Sequence, residues 1–171
     1  MGSPFWNFSL AVYGAGAVQN ECLNLQDQFG LDVNLVLLCA FLGAVHSVAL
    51  TFDDIASARQ EVQQWHEHVV RPLRATRRHL KTVELHDAQE AMAAMQLRAQ
   101  VKAAELESER IEQMMLERWA EARLATWPHG KSSDAITANL QTLLAAYGIG
   151  RERLVAAKHI IAAALDRTAN E

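Results

Sequence analysis

Residues 35–45 read Leu-Val-Leu-Leu-Cys-Ala-Phe-Leu-Gly-Ala-Val, an apolar run of 11 residues with no polar side chain in it. About 20 apolar residues are needed to cross a bilayer, so this run is too short to be a membrane span. A helix that is apolar on every side has to be surrounded by protein. The rest of the chain must therefore supply amphipathic elements that wrap it. Asp32 stands where an N-cap belongs, so the spacing predicts a helix from Val33 to about His46.

The wrapping elements are helices. Ala, Leu, Gln, Glu and Arg dominate, only 3 prolines and 8 glycines interrupt the chain, and strict apolar–polar alternation is missing. Phe5 to Tyr13 forms a short amphipathic segment ended by Gly14 and Gly16. Val18, Cys22, Leu25 and Phe29 mark one stripe of a second helix, and Gly30 closes it. Residues 17–46 thus read as a helical hairpin turning at 30–31. That register places Cys22 and Cys39 at one level, both buried. With no secretory signal and the first basic residue at Arg59, they are expected as reduced thiols of a soluble, cytoplasmic protein.

Asp53 or Asp54 is expected to cap a long helix whose stripe runs Ile55, Ala58, Val62, Trp65, Val69, Leu73, Thr76, Leu80, Val83. Pro72 lies inside it and predicts a kink near Val69. Asp87 with Glu90 suggests a capping box for another long helix to about Ala125. That helix carries two apolar seams, Met92-Met95-Ala99-Ala103-Leu106 and Leu97-Val101-Ala104-Ile111-Met115-Ala122, which predicts neighbours on two sides. Trp127-Pro128-His129-Gly130 ends it. Ser132 or Ser133 caps a helix stopping at Gly148, and a last helix covers about 151–168. The fold class is all-α: a single-domain bundle of about six or seven helices over 1–171. Its core is expected at 5–125, with a long kinked hairpin (53–83 and 87–125) and added C-terminal helices at 132–168.

Phe5-Trp6-Asn7-Phe8-Ser9-Leu10 with Tyr13, then Cys22 to Asp27, Gly30 and Asp32 to Leu35, resembles the opening of an uncharacterised family of small helical proteobacterial proteins, a domain of unknown function. Pro72-Leu73-Arg74, Arg77-Arg78 and Leu80-Lys81 resemble its middle block. Ala104-Glu105-Leu106 with Glu109-Arg110 resembles its third. The likeness covers about residues 5–125. It implies a helical cytoplasmic protein and transfers no activity.

Charge singles out one face. Residues 1–58 hold five acids and no Lys or Arg, whereas residues 59–83 hold six bases against two acids. At 100° per residue Arg71, Arg74, Arg78 and Lys81 fall within about an 80° arc, with Arg77 beside them. A chain turning near residue 85 sets them beside 89–99, where Glu90 is the only acid, so the stripe is expected to be unpaired within the hairpin. A solvated face, an acidic protein partner and RNA are the readings open to it. A second cluster, Trp6, Ser9, Tyr13, Gln26, Asp27, Asp32 and Asn34, flanks the first hairpin. It reads as capping, or alternatively as a small-molecule or enzymatic pocket.

Other chemistry is poorly supported. No His-x-x-x-His or Glu-x-x-His occurs, and His66 with His68 point to different faces, so no metal or other cofactor is expected. Gly14-x-Gly16 precedes no strand and completes no phosphate loop. Asp53-Asp54 has no second acidic motif, and the methionine pairs Met92/Met95 and Met114/Met115 read as seam fillers. The expectation is a non-catalytic adaptor using Arg71, Arg74, Arg77, Arg78 and Lys81. A pocket at the first hairpin and an RNA- or ribosome-associated factor are the alternatives.

Overall fold

A computed structural model describes residues 3–169. The protein is all-α: α1 Pro4–Tyr13, α2 Val18–Phe29, α3 Val33–His46, α4 Phe52–Trp65, α5 Arg71–Thr82, α6 Ala88–Glu121, α7 Ser132–Ala146 and α8 Lys158–Ala169. Its one β-type pairing among the described residues is an isolated antiparallel bridge between Val48 and His129. No described helix is long and apolar enough to cross a membrane. The chain divides into two compact units, one of residues up to Glu61 with Gln113 onward, the other Val62–Glu112.

The first unit is built around α3. Every residue from Asn34 to Ala44 is buried, as an all-round apolar helix requires. From α1, Phe5 and Phe8 set their rings against Phe41 with centroids 5.2 and 5.3 Å apart. α7 lies against α3 more extensively than any other helix does. Gly43 makes this approach possible, because a Cβ there would stand 2.6 Å from the backbone nitrogen of Ile136 and 2.7 Å from its Cα. One turn on, the fully buried Asn139 donates from Nδ2 to the carbonyls of Cys39 (3.1 Å) and Val48 (2.9 Å). Its Oδ1 accepts from the Leu50 amide at 2.6 Å. One side chain thus pairs two backbone groups just beyond the end of α3 and adds a second bond to the helical carbonyl of Cys39.

Helix ends in this unit are capped with care. Asp32 accepts from the Asn34 amide at 2.9 Å, as expected of an N-cap. Gly30 closes α2 with φ 67°, and the amides of Gly30 and Leu31 return to Gln26 and Leu25. The α4 cap differs from expectation: Thr51 holds the position, and Asp54 is its partner three residues on. The Asp54 amide donates to Thr51 Oγ1 (3.2 Å), while the Thr51 amide and hydroxyl donate to Asp54 Oδ2 (2.9 and 2.6 Å). Thr51 is a good cap because its hydroxyl can both accept and donate. Lys131, not Ser132 or Ser133, precedes α7, and Ser133 Oγ bonds Asp134 instead. Residues 151–157 form a 3-10 segment before α8. The first amides of α8, on His159 and Ile160, donate to Glu21 on α2 at 2.9 to 3.1 Å. Glu117 likewise accepts from the Phe5 amide at 2.9 Å, closing the start of α1 from inside.

Both cysteines are fully buried and free. Burial pushes each thiol up, Cys22 to about 12 with help from the nearby Glu21 charge. In the second unit the chain leaves α4 through a π turn, His66–Val70, in which the Arg71 amide reaches back to the His66 carbonyl. This is where Pro72 predicted a kink. Proline has no N–H to donate, and the widened turn redistributes the bonds just before it.

Two outcomes follow from this packing. Gly43→Ala forces a methyl group into the α7 backbone, so a loss of about 1–3 kcal/mol in urea unfolding is expected, typical of overpacked cores. For Asp54, burial pushes the carboxyl up, but hydrogen bonds from Thr51 and Trp127 and the Arg123 charge outweigh it and hold the group below the usual carboxylate range. Its stabilisation is therefore complete above about pH 4, the unfolded value, and is lost as pH falls through the lower folded value. Melting curves of Asp54→Asn are expected to show a lower melting temperature at neutral pH and a shallower acid limb than wild type.

Candidate functional site

The basic face belongs to the second unit and lies on α5, Arg-Pro-Leu-Arg-Ala-Thr-Arg-Arg-His-Leu-Lys-Thr, which carries five bases and no acid. The structure divides these five cations into two groups. Arg74 and Arg77 turn toward α6. Arg74 donates to Glu105 Oε1 (3.2 Å) and Glu109 Oε1 (2.6 Å). Arg77 holds both oxygens of Glu105, Nη2 to Oε1 at 3.1 Å and Nε to Oε2. Burial of Arg74 opposes its charge, but the two glutamates outweigh that and favour the guanidinium form. Arg71, Arg78 and Lys81 are exposed. The expectation of a stripe unpaired within the hairpin is therefore corrected for Arg74 and Arg77.

The reason lies in the link between the helices. Residues 83–87 do not fold α6 straight back. Taking Arg74 as level with Glu105 puts Thr82 level with Leu97, so the link climbs about 13 Å along the start of α6. Five extended residues can cover about 17 Å. In keeping with this, every residue from Lys81 to Glu90 is exposed. Within the second unit, a row of at least partly buried residues on α6 runs through Ala91, Ala94, Arg98, Val101, Glu105, Ser108 and Glu112. Their spacing alternates three and four, the period of a helix–helix seam, yet the seam ends in polar groups. Trp65 Nε1 donates to the Ser108 carbonyl at 2.9 Å, and His66 Nδ1 lies 2.9 Å from Oε1 of the fully buried Glu112. The expected seam through Met92, Met95, Ala99, Ala103 and Leu106 is instead exposed along its whole length, a second correction.

The polar residues around the first hairpin engage several partners. Asp32 caps α3, and Asn34 is buried with Oδ1 accepting from Gln113 Nε2 at 2.9 Å. Gln26 bonds its exposed neighbour Asp27. Ser9 is buried, while Trp6 and Tyr13 are half-buried. An open cavity of about 400 Å³ does lie in the first unit, lined by Ala17, Asn20, Glu21, Asn24, Ala156 and His159. None of the seven cluster residues lines it, and its carboxylate, Glu21, is engaged with the amides that start α8.

Sequence reasoning passed over a corner at the exit of α3. Ser47 adopts φ 54°, left-handed for a non-glycine residue, and its carbonyl accepts from the Gly130 amide at 2.7 Å. His129 donates from Nδ1 to the His46 carbonyl at 2.9 Å. Burial, with the neighbouring His129, lowers the His46 pKa. Trp127 Nε1 donates to Asp54 at 3.0 Å, and its ring lies 5.4 Å from that of Trp119. These hydrogen bonds hold the 127–130 loop to the α3 exit and to the first turn of α4. The turn dipeptides in Trp-Pro-His-Gly were the only signal in the sequence.

These features define an all-α protein with a cation-bearing helix. The chain belongs to a family described as protein of unknown function (DUF2390), whose model matches residues 4–116. The match takes in α1 to α5 and most of α6 and stops short of α7. No curated protein and no solved structure matches the chain.

The two classes of arginine are separable by stability. Arg74→Ala removes the bond to Glu109 and one of the two guanidinium groups on the nearly buried Glu105, so a loss of about 1–3 kcal/mol is expected in urea unfolding. Arg71→Ala should stay within about 0.5 kcal/mol of wild type.

Proposed function

We propose that the protein is a non-catalytic interaction protein that docks an acidic protein partner on the outer face of α5. The observation behind this reading is the division of labour among the cations. Arg74 and Arg77 are spent on Glu105 and Glu109, which fixes how α5 is presented. Arg71 and Lys81 are exposed about 15 Å apart on a helix with no acid of its own. Cations held on a rigid helix steer an acidic partner and set its orientation more than they add to affinity. The flanking aromatic side chains that stack nucleic-acid bases are missing from α5, which favours protein over RNA. Two unbridged cysteines support a reducing compartment, and we place the protein in the cytoplasm.

The test is affinity capture with wild type beside Arg71→Glu/Lys81→Glu. Polypeptides held by wild type and lost by the variant are expected to be acidic, and to bind the purified chain with an affinity that falls as salt rises. The variant should keep wild-type helicity and melting temperature. Capture that is identical for both chains, or selective loss of RNA in place of protein, would overturn the reading.

A further inference from the structure

We infer that the exposed apolar stripe of α6 is a self-association face, and that its occupant is the same stripe of a second copy of this chain, packed antiparallel about Ala99. Three large side chains on it face solvent: Met92 is 63% exposed, Met95 74% and Leu106 52%. Ala99 and Ala103 between them are exposed too. Five apolar residues at steps of three or four over four turns are an unpartnered helix face. By the 100° rule the stripe sits about 130° around α6 from the polar seam that faces α5, so a second helix can reach it without displacing α5.

The order of the residues is self-complementary. Counted from Ala99, the stripe falls at minus seven, minus four, zero, plus four and plus seven, and that set maps onto itself when the helix is reversed. In a two-fold pair, whose contacts are necessarily reciprocal, Met92 meets the other copy's Leu106. Met95 meets its Ala103, and Ala99 meets Ala99. A large side chain thus lies over a small one at each end of the centre, and the alanines allow the two axes to approach to about 8 Å.

Charge fits the same register. On the flanks Lys102 falls opposite Gln96, Glu107 opposite Ala91 and Arg110 opposite Ala88. No like charges confront one another, as they would have to if the face were built to repel its copy. The two stripes together cover on the order of 1,000 Å², at the low end for specific interfaces, so the dimer is weak and concentration-dependent. This association is independent of the α5 cations and survives if the acidic-partner reading fails.

The experiment uses the full chain in sedimentation velocity from low micromolar to several hundred micromolar. The mass is expected to rise twofold from the 19.0 kDa monomer across that range. Ala99→Glu sets two carboxylates against each other on the two-fold axis and should stay monomeric with unchanged helicity. Register is read by cross-linking under mild oxidation. Ala99→Cys is expected to give a disulfide-linked dimer and Ala103→Cys alone very little, whereas Met95→Cys/Ala103→Cys is expected to link efficiently. The native Cys22 and Cys39 are fully buried with raised pKa values and stay silent. A mass fixed at the monomer value, a dimer indifferent to Ala99→Glu, or equal cross-linking through positions 99 and 103 would overturn the inference.

Discussion

The close crossing of α3 and α7 is the constraint on which the first unit depends. A helix as apolar as α3 stabilises a fold only when every side is covered, and one of its sides carries Gly43. Backbone against backbone at Gly43 and Ile136 brings α7 near enough for Asn139 to reach the Cys39 carbonyl and the residues leaving α3. The Asn139 amide is costly to bury unless satisfied, so it specifies one rotation and one depth for α7. Phe5 and Phe8 then close the face around Phe41, and Glu117 caps the helix that carries them.

The second unit follows a different logic. Its helices are joined across their inner faces by Arg74, Arg77, Glu105, Glu109, His66 and Glu112, with apolar side chains turned outward on α6. Buried ion pairs contribute little net stability against an apolar alternative, but each is costly to break. Such a seam tolerates few registers, because a shift of one turn would strand Glu105 without its arginines. The result is a hairpin with a defined pairing that keeps its hydrophobic surface available.

Much of the fold was legible because local signals agreed. The apolar run at 35–45, Gly30, Asp32, Asp87 and Pro72 each marked a helix or its end where the structure has one. Register between helices was not legible. Pairing α5 with α6 required the path of residues 83–87, and a link running along a helix reads the same in sequence as one that turns at once. That single unknown moved Arg74 and Arg77 from free to paired. The second loss came from reading apolar periodicity as burial. Met92 and Leu106 have the spacing of a seam, and spacing says which residues share a face but not what lies against it. Distant caps such as Glu21 on α8 and Glu117 on α1 leave no local trace.

The π turn at His66–Val70 has a consequence for how this family can vary. It fits one residue more into the turn than an α-helix does, so the extra residue is taken up where it stands and the helix beyond keeps its phase. The same residue added to ordinary helix would rotate everything after it by about 100° and carry Arg74 and Arg77 off Glu105. The widened turn is thus a buffer: the chain before it can hold a residue in excess while the cations of α5 stay in register with α6.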